Sequence, residues 1–245
     1  MIANKDITLS VFFPAYYDEK NIDKVVHSAV RVLDGMQLKD YEITIIEDGS
    51  PDNTGAVADS LARQYSKVKV IHHERNIGYG ATLCEGFNAA KLEYVFYTDG
   101  DNQFDLNELR KFVAMIPFSD IVVGYRKKKQ YSAYRKATSL LYNYVLRWLF
   151  EIDYVDIDCA FKLFRRDLFD KITIRTKDAF IDAEIMIKAY LLGYTATEIG
   201  VRHLPRVDGI STAARPSIVV KTILDIYRFR KEYKRAVAER PAAAD

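Results

Sequence analysis

The sequence is short of cysteine and of long apolar runs, and each shortage excludes a class of protein. Its two cysteines, Cys84 and Cys159, lack the spacing of a metal site or a disulfide framework, which favours a reducing compartment. No run of about 18 apolar residues occurs, so no membrane-spanning helix is predicted. The first residues lack the pattern of a secretory signal peptide. We therefore expect any membrane contact to be peripheral.

An excess of either charge is also missing. The 245 residues include 36 Lys and Arg against 34 Asp and Glu, a net charge of +2. This near balance gives no general reason to expect nucleic-acid binding. The hydrophobic share of 49% and the charged share of 29% are those of an ordinary globular protein. The length fits one large domain or two small ones.

Strand patterns alternate with helix patterns through the first half of the chain. The predicted strands are 7–13, 41–47, 68–71, 94–98 and 120–124, with helices ending near 33, 65 and 91. The second half is less regular: we predict strands at 161–164 and 195–201, and helices at 182–192 and 217–235. Such alternation indicates an α/β fold with a mainly parallel sheet flanked by helices. Ligands of such sheets bind beyond the carboxyl ends of the strands.

An acidic pair follows the fourth predicted strand. Asp99 and Asp101 flank one glycine, so in extended chain their carboxylates point the same way. Mg²⁺ and Mn²⁺ prefer oxygen ligands, and Mg²⁺ is often held by one or two carboxylates together with substrate phosphates. An isolated pair of this kind is commonly only a turn. Its position at a strand end favours a metal site that would serve a diphosphate leaving group.

The acidic pair belongs to one of eight sequence motifs that follow one another along the chain. They are FFPAYYDEKN, IIEDGSPDNT, HERNIGYGATLCEGF, YTDGDNQF, VVGYRKKK, DIDCAFKLFRRDLF, IDAEIMIKAYLLGY and HLPRVDGIS, in this order between about Ile7 and about Ser217. With them the chain resembles the inverting glycosyltransferases of family 2, which have the Rossmann-like GT-A fold. It is most similar to the polyprenyl-phosphate sugar transferases, the group that includes dolichol-phosphate mannosyltransferase.

The resemblance implies a role for each matching residue. The donor-binding residues would be Pro14, Ala15, Tyr16, Glu19, Asp48 and Asp99. The metal, Mg²⁺ or Mn²⁺, would be held by Asp99 and Asp101 with Gln103 beside it. The acceptor phosphate would be gripped by Arg126, Arg135, Ser139 and Arg206. Asp101 would be catalytic, and Asp182 and Glu184 lie where the family keeps its acceptor-side acid.

Two basic segments bear on membrane contact. Residues 126–136 hold six cations and no acid, interleaved with tyrosines, which suits either a solvated loop or an anionic lipid surface. Residues 217–235 have the pattern of an interfacial helix, although a helix packed on its own domain has the same pattern. We expect a glycosyltransferase domain at 1–216, then an amphipathic interfacial helix and flexible tail at 217–245. The expected location is cytoplasmic, on the cytoplasmic face of a membrane.

Together these features predict metal-dependent, inverting transfer of a sugar from a nucleotide-diphosphate sugar to a dolichyl or undecaprenyl phosphate, with no nucleic-acid partner. A phosphate acceptor is already ionised near neutral pH and needs no strong base. A glycan hydroxyl acceptor would instead need Asp182 or Glu184 to take its proton. A non-catalytic module that binds nucleotide sugars is the third possibility.

Overall fold

One mixed sheet lies at the centre of the molecule. The computed structural model describes residues 4–127, 133–205 and 216–238, without the side chains of 133–137, 216–220 and 236. Within these ranges the strands are β1 (Thr8–Ala15), β2 (Asp40–Glu47), β3 (Val68–His72), β4 (Tyr94–Thr98), β5 (Ile121–Arg126), β6 (Phe161–Arg165) and β7 (Ala196–Val201). Their order is β3-β2-β1-β4-β6-β5-β7, and only β6 is antiparallel to its neighbours. The predicted mainly parallel α/β fold is confirmed.

Helices flank this sheet. They are α1 (Ile22–Asp34), α2 (Thr54–Gln64), α3 (Tyr79–Ala89), α4 (Leu109–Met115), α5 (Ala133–Phe150), α6 (Asp167–Lys171), α7 (Ile181–Leu191) and α8 (Pro216–Ala238). The predicted helices agree with these bounds to within a few residues. Helices α4 and α6 were not predicted, because each offers only one or two turns of periodicity, and no helix bounds were predicted for the region of α5.

The reversed strand β6 brings one segment to the functional edge. Thr98, the last residue of β4, pairs with Phe161, the first residue of β6. The amino end of β6 therefore lies beside the carboxyl ends of the parallel strands. As a result residues 156–160, which precede β6, join the segments that follow β1, β2, β4 and β5 at the edge where ligands of such sheets bind.

Aromatic side chains pack α3 against the middle of the sheet. Phe12 of β1 stacks on Tyr97 of β4, with ring centroids 5.5 Å apart, and meets Phe87 of α3 edge to face at 5.0 Å. A Cβ atom on Gly86 would come within 2.3 Å of the Phe12 ring. Only glycine lets α3 approach the sheet this closely, and this approach places the start of α3 above the end of β4.

Helix α8 packs on the body of the molecule with one face. Phe229 and Tyr233 are buried, and the Phe229 ring lies 5.5 Å from Phe150 of α5. The Tyr233 hydroxyl donates a hydrogen bond to the Phe150 carbonyl at 2.9 Å. Another face leaves Tyr227 exposed. The predicted domain division at 216 stays a prediction, and the tail from 239 lies outside the described residues. None of the described helices has the length and apolarity of a membrane span.

Replacing Phe229 tests the docking of α8. We expect Phe229→Ala to lower the free energy of unfolding by about 3 kcal/mol, because a buried aromatic ring is lost, and to expose α8 to proteases. Tyr227→Ala is the matched control, since its ring is 63% exposed, and should cost about 0.5 kcal/mol or less. Denaturant unfolding and limited proteolysis measure both. Equal stability losses in the two variants would contradict this packing.

Candidate active site

The acidic pair lies on a loop that is bonded to a distant segment. Asp101 is buried, and its Oδ1 accepts a hydrogen bond from the Gln103 backbone N–H at 3.1 Å. The Gln103 side chain donates to the Leu204 carbonyl at 3.0 Å, and the Leu204 N–H donates to the Gln103 carbonyl at 2.8 Å. The structure therefore joins the predicted metal loop to the segment that follows β7. Gln103 thus stabilises this loop through its bonds to Leu204, and its predicted place beside the metal stays a prediction.

Negative charge accumulates around Asp99. Burial raises the pKa of Asp99 to about 8, and the neighbouring Asp101 carboxylate acts in the same direction. The Tyr79 hydroxyl, which donates to Asp99 Oδ1 at 3.0 Å, opposes this rise, while Asp182 and Asp18 add to it. A divalent cation at the two carboxylates would neutralise the repulsion, so the donor set fits Mg²⁺ or Mn²⁺.

The end of β1 connects the two acidic segments. The residues predicted to cradle the donor begin with Pro14 and Ala15, which are buried. The Pro14 carbonyl accepts from the Gly100 N–H at 3.2 Å, and the Ala15 carbonyl accepts from the Asp48 N–H at 3.0 Å. The backbone here thus fixes both acidic segments, and the predicted donor contacts stay predictions.

Tyr16 and Glu19 continue this segment. Tyr16 is partly buried, and its ring meets Tyr17 edge to face at 4.7 Å. Tyr17 is exposed and has a φ of 59°, a left-handed conformation that is uncommon outside glycine. The Glu19 carboxylate accepts from the Asn53 N–H at 3.1 Å, just before α2. Tyr17 is thus an exposed aromatic side chain beside the predicted donor pocket that the sequence did not single out.

Asp48 organises the loop ahead of α3. Its buried carboxylate contacts the His73 ring at 2.8 Å and accepts from the Asn76 side chain at 2.8 Å. It also accepts from the backbone N–H groups of Ile77 and Gly78 at 2.9 and 3.1 Å. Asp48 therefore holds loop 73–78 and, through it, the start of α3 with Tyr79. Its predicted contact with the nucleotide is not tested by these bonds.

Asp182 is half of a buried ion pair. Its Oδ1 accepts from the Lys162 ammonium at 2.5 Å and from the Tyr97 hydroxyl. Lys162 is fully buried and also donates to the Cys159 carbonyl at 2.8 Å. Sequence reasoning missed Lys162 and Tyr97 as neighbours of Asp182. The available signal was a lysine inside the apolar strand Phe161–Phe164, where an unpaired charge would be costly.

Glu184 lies apart from Asp182. Positions two residues apart on a helix do not face each other. The buried Glu184 carboxylate accepts from Lys188 at 2.6 Å and from the backbone N–H groups of Thr176 and Arg175 at 2.8 and 2.9 Å. Burial works against its ionisation, but Lys188 and these N–H groups outweigh burial and lower the pKa of Glu184. The structure thus connects Glu184 to the loop before α7.

A chain of hydrogen bonds joins two of the predicted phosphate-binding residues. The Arg126 guanidinium donates twice to the buried Asp156, at 2.6 and 2.7 Å. The next residue, Ile157, donates its N–H to Asn143 Oδ1 at 3.1 Å. The Asn143 amide in turn donates to the Ser139 carbonyl at 2.8 Å. The segment before β6 thus links β5 to α5. The Arg135 side chain and Arg206 lie outside the described residues.

The repulsion at Asp99 gives a testable pH dependence. Because its folded-state pKa of about 8 lies above the ordinary value of 3.8, ionising Asp99 costs folding free energy as the pH rises between these values. At about pH 8, Asp99→Asn should raise the unfolding free energy of the metal-free protein by at least about 1 kcal/mol, which is ~2–4 °C or more in Tm. Mn²⁺ with a nucleoside diphosphate should then stabilise wild type but not the variant. Scanning calorimetry across a pH series measures the Tm of both proteins with and without these ligands. If Tm varied with pH in parallel for wild type and Asp99→Asn, the raised pKa of Asp99 would be refuted.

Comparisons with known proteins identify the family and the fold of this chain. Residues 10–173 match the family described as glycosyl transferase family 2. The glycosyltransferase AglD of Haloferax volcanii is 28% identical over 211 residues, 82% of this chain and 34% of the relative. The undecaprenyl-phosphate 4-deoxy-4-formamido-L-arabinose transferase of Aeromonas hydrophila is 29% identical over 212 residues, 85% of this chain and 64% of the relative. The chain therefore spans less than two thirds of these relatives' length.

Solved structures show the fold. Glucosyl-3-phosphoglycerate synthase from Mycobacterium tuberculosis, in complex with phosphoglyceric acid, has a TM-score of 0.72 at 16% identity over 93% of this chain and 81% of that one. The same enzyme in complex with Mn²⁺, uridine diphosphate and glucosyl-3-phosphoglycerate has a TM-score of 0.71 at 17% identity, with the same coverage. These are GT-A glycosyltransferases. The family match covers most of the chain and the fold agrees with it, so the chain belongs to glycosyl transferase family 2.

Proposed function

We propose that this chain transfers a sugar, with inversion at the anomeric carbon, from a nucleotide-diphosphate sugar to a polyprenyl phosphate in a metal-dependent reaction. Family membership and the names of the curated relatives support a glycosyltransferase with a lipid-phosphate acceptor. The observation that carries the proposal is the occupation of both candidate bases, Asp182 by Lys162 and Glu184 by Lys188. An acceptor that arrives already ionised is the one that suits this site.

The donor half of the proposal rests on Asp99 and Asp101. Within the described ranges, no group of three or more His, Cys, Asp or Glu side chains is placed to hold a metal ion. Two carboxylates completed by substrate phosphates are a usual arrangement for Mg²⁺. When bound, Mg²⁺ or Mn²⁺ would neutralise charge on the diphosphate leaving group. Tyr79 would orient Asp99 through their hydrogen bond, and Gln103 would fix the loop.

The acceptor half rests on the buried ion pair. A hydroxyl acceptor must lose its proton during attack, so it needs a base. If Asp182 took that proton, Lys162 would keep a buried positive charge without its partner, a loss of about 3–5 kcal/mol. Glu184 is tied to Lys188 and two backbone N–H groups in the same way. A phosphate monoester, with a second pKa near 6, is largely dianionic at neutral pH and places no such demand.

With such an acceptor the protein's task is placement and charge neutralisation. Arg126 lies at the end of β5 with its guanidinium oriented by Asp156. Ser139 is held above the segment before β6 through Asn143. We propose that both act on the acceptor phosphate, together with Arg135 and Arg206. Guanidinium groups suit phosphate because they can donate two parallel hydrogen bonds.

Exposed apolar side chains on two helices support peripheral membrane contact. On α5, Leu140, Leu141, Tyr144 and Trp148 are each more than 60% exposed, whereas Asn143 is buried. On α8, Ile223, Leu224 and Tyr227 are exposed, and Lys221, Arg228 and Lys231 lie among them. Apolar patches with aromatic rings and adjacent cations suit a membrane interface. Contact through α5 would present its inner face, with Ser139, to a lipid phosphate on the cytoplasmic side.

A donor panel tests the reaction itself. Nucleotide-diphosphate sugars should be assayed with Mn²⁺, with and without undecaprenyl or dolichyl phosphate, and sugar should reach the lipid. Asp101→Asn should lower kcat/KM at least about 100-fold, or ~2.7 kcal/mol, because it removes one anionic metal ligand. Circular dichroism should show an unchanged fold. Full activity of this variant would refute the metal site, transfer only to glycans would favour a hydroxyl acceptor, and donor binding without turnover would favour a binding module.

Liposome co-sedimentation tests the membrane surface. Wild type should bind vesicles that contain anionic lipid and should be released by salt, since each Lys or Arg contributes about 1 kcal/mol that salt screens. Replacing both Tyr144 and Trp148 with alanine should weaken binding at least about tenfold, because their rings no longer enter the interface. Phe118→Ala is the control, as Phe118 is 68% exposed after α4. Equal binding by all three proteins would argue against contact through α5.

A further inference from the structure

Three carboxylates and two cations meet where β5 and β6 reach the functional edge. Asp156 is paired with Arg126, and Asp182 is paired with Lys162. The third carboxyl group belongs to Asp158, and the charged groups of both pairs act on it. Within the described part of the chain, its Oδ1 is buried and receives no hydrogen bond. Each of the two cations is already paired with another carboxylate. The ionised form of Asp158 is therefore the least stabilised of the three.

A second buried polar atom near Asp158 also lacks a hydrogen-bond partner among the described residues. The Tyr142 hydroxyl oxygen is buried and, among the described residues, has no hydrogen-bond partner. Burial raises the pKa of Tyr142 well above its ordinary range, and the charge of Asp158 contributes to this rise. Leaving a buried polar group unsatisfied costs about 1–3 kcal/mol. Two such atoms on neighbouring elements indicate a place that a polar ligand completes.

The surroundings of Asp158 favour its neutral form. Burial raises the pKa of Asp158 to about 7, and the carboxylates of Asp182 on α7 and Asp156 in the same segment act in the same direction. Arg126 from β5 and Lys162 from β6 oppose the rise, and Tyr142 faces it from α5. A neutral carboxylic acid has an O–H group and can donate a hydrogen bond, which a carboxylate cannot.

We propose that Asp158 binds the acceptor phosphate as a neutral carboxylic acid, donating its proton in a hydrogen bond to a phosphate oxygen, with the Tyr142 hydroxyl as a second donor. This inference rests on the proposed function and adds two residues to its acceptor site. Position supports it, because the segment that carries Asp158 is bonded to Arg126 through Asp156 and to α5, next to Ser139, through Asn143. A phosphate dianion beside Asp158 would further favour the protonated acid.

The inference predicts an unusual pH dependence of acceptor binding. Once Asp158 ionises, it repels the phosphate, so the wild-type KM for polyprenyl phosphate should rise up to about tenfold per pH unit on the alkaline side of neutrality. Asp158→Asn keeps a neutral donor of similar shape. Its KM should be a few fold higher than wild type at about pH 6 but should stay flat to about pH 8.5, so that the two curves cross.

Matched variants separate this role from a structural one. Asp158→Ala, which has neither donor nor charge, should have an acceptor KM about tenfold above the wild-type value at about pH 6 and no alkaline rise, and Tyr142→Phe should raise the KM several fold. The donor KM should not change in either. Asp153→Asn makes the same chemical change at a side chain that is 89% exposed and should keep the wild-type profile. If Asp158→Asn fails to fold, the wild-type profile and Tyr142→Phe carry the test.

The outcomes distinguish this inference from the proposed function. If wild type transfers no sugar to polyprenyl phosphate at any pH, the proposed function fails and this inference fails with it. If wild type transfers sugar but its acceptor KM lacks the alkaline rise, the inference alone is overturned. A rise that is parallel in wild type and Asp158→Asn overturns it as well, because the titrating group is then another residue.

Discussion

The ion pair between Lys162 and Asp182 is the constraint on which the rest of the site depends. It joins the reversed strand β6 to helix α7 beside Tyr97 of β4, where Lys162 is fully buried and the Asp182 side chain is only 6% exposed. Breaking such a pair leaves an uncompensated buried charge, which costs several kcal/mol. The pair therefore ties the Asp182 carboxylate to a fixed cationic partner. A carboxylate held in this way suits a reaction that needs a fixed charge more than one that needs a proton acceptor.

Most of the other acids at this edge are also paired with cations or hydrogen-bond donors. Asp48 is satisfied by backbone and side-chain donors, Glu184 by Lys188 and two N–H groups, and Asp156 by Arg126. Asp99 and Asp158 differ from these, since burial and neighbouring carboxylates raise the pKa of both. Sites with perturbed ionisation tend to be functional, because the missing compensation comes from a ligand. One of the two lies on the donor side of our proposal and the other on its acceptor side.

Helix α5 connects this chemistry to the outer surface of the molecule. Its inner face holds Asn143, which bonds the segment before β6, and its outer face exposes Tyr144 and Trp148. One helix thus borders both a polar site and an exposed apolar surface. A lipid with a phosphate head and a hydrocarbon tail has the same polarity profile. This correspondence is the structural reason for considering the acceptor and the membrane together.

Local patterns in the sequence were enough to predict the sheet, its parallel strands, most of its helices and the acidic pair after β4. Period-two and period-3.6 apolar patterns report local burial, and the motif order, through its resemblance to family 2, reported the family and the fold. The partners of the acids could not be predicted in this way. Lys162 and Asp182 are 20 residues apart, and Asp48 is bonded to residues 25 to 30 positions away. Only the tertiary structure decided that Asp182 pairs with Lys162 and that Asp158 forms no ion pair among the described residues, because such pairings depend on which elements pack together and not on spacing along the chain.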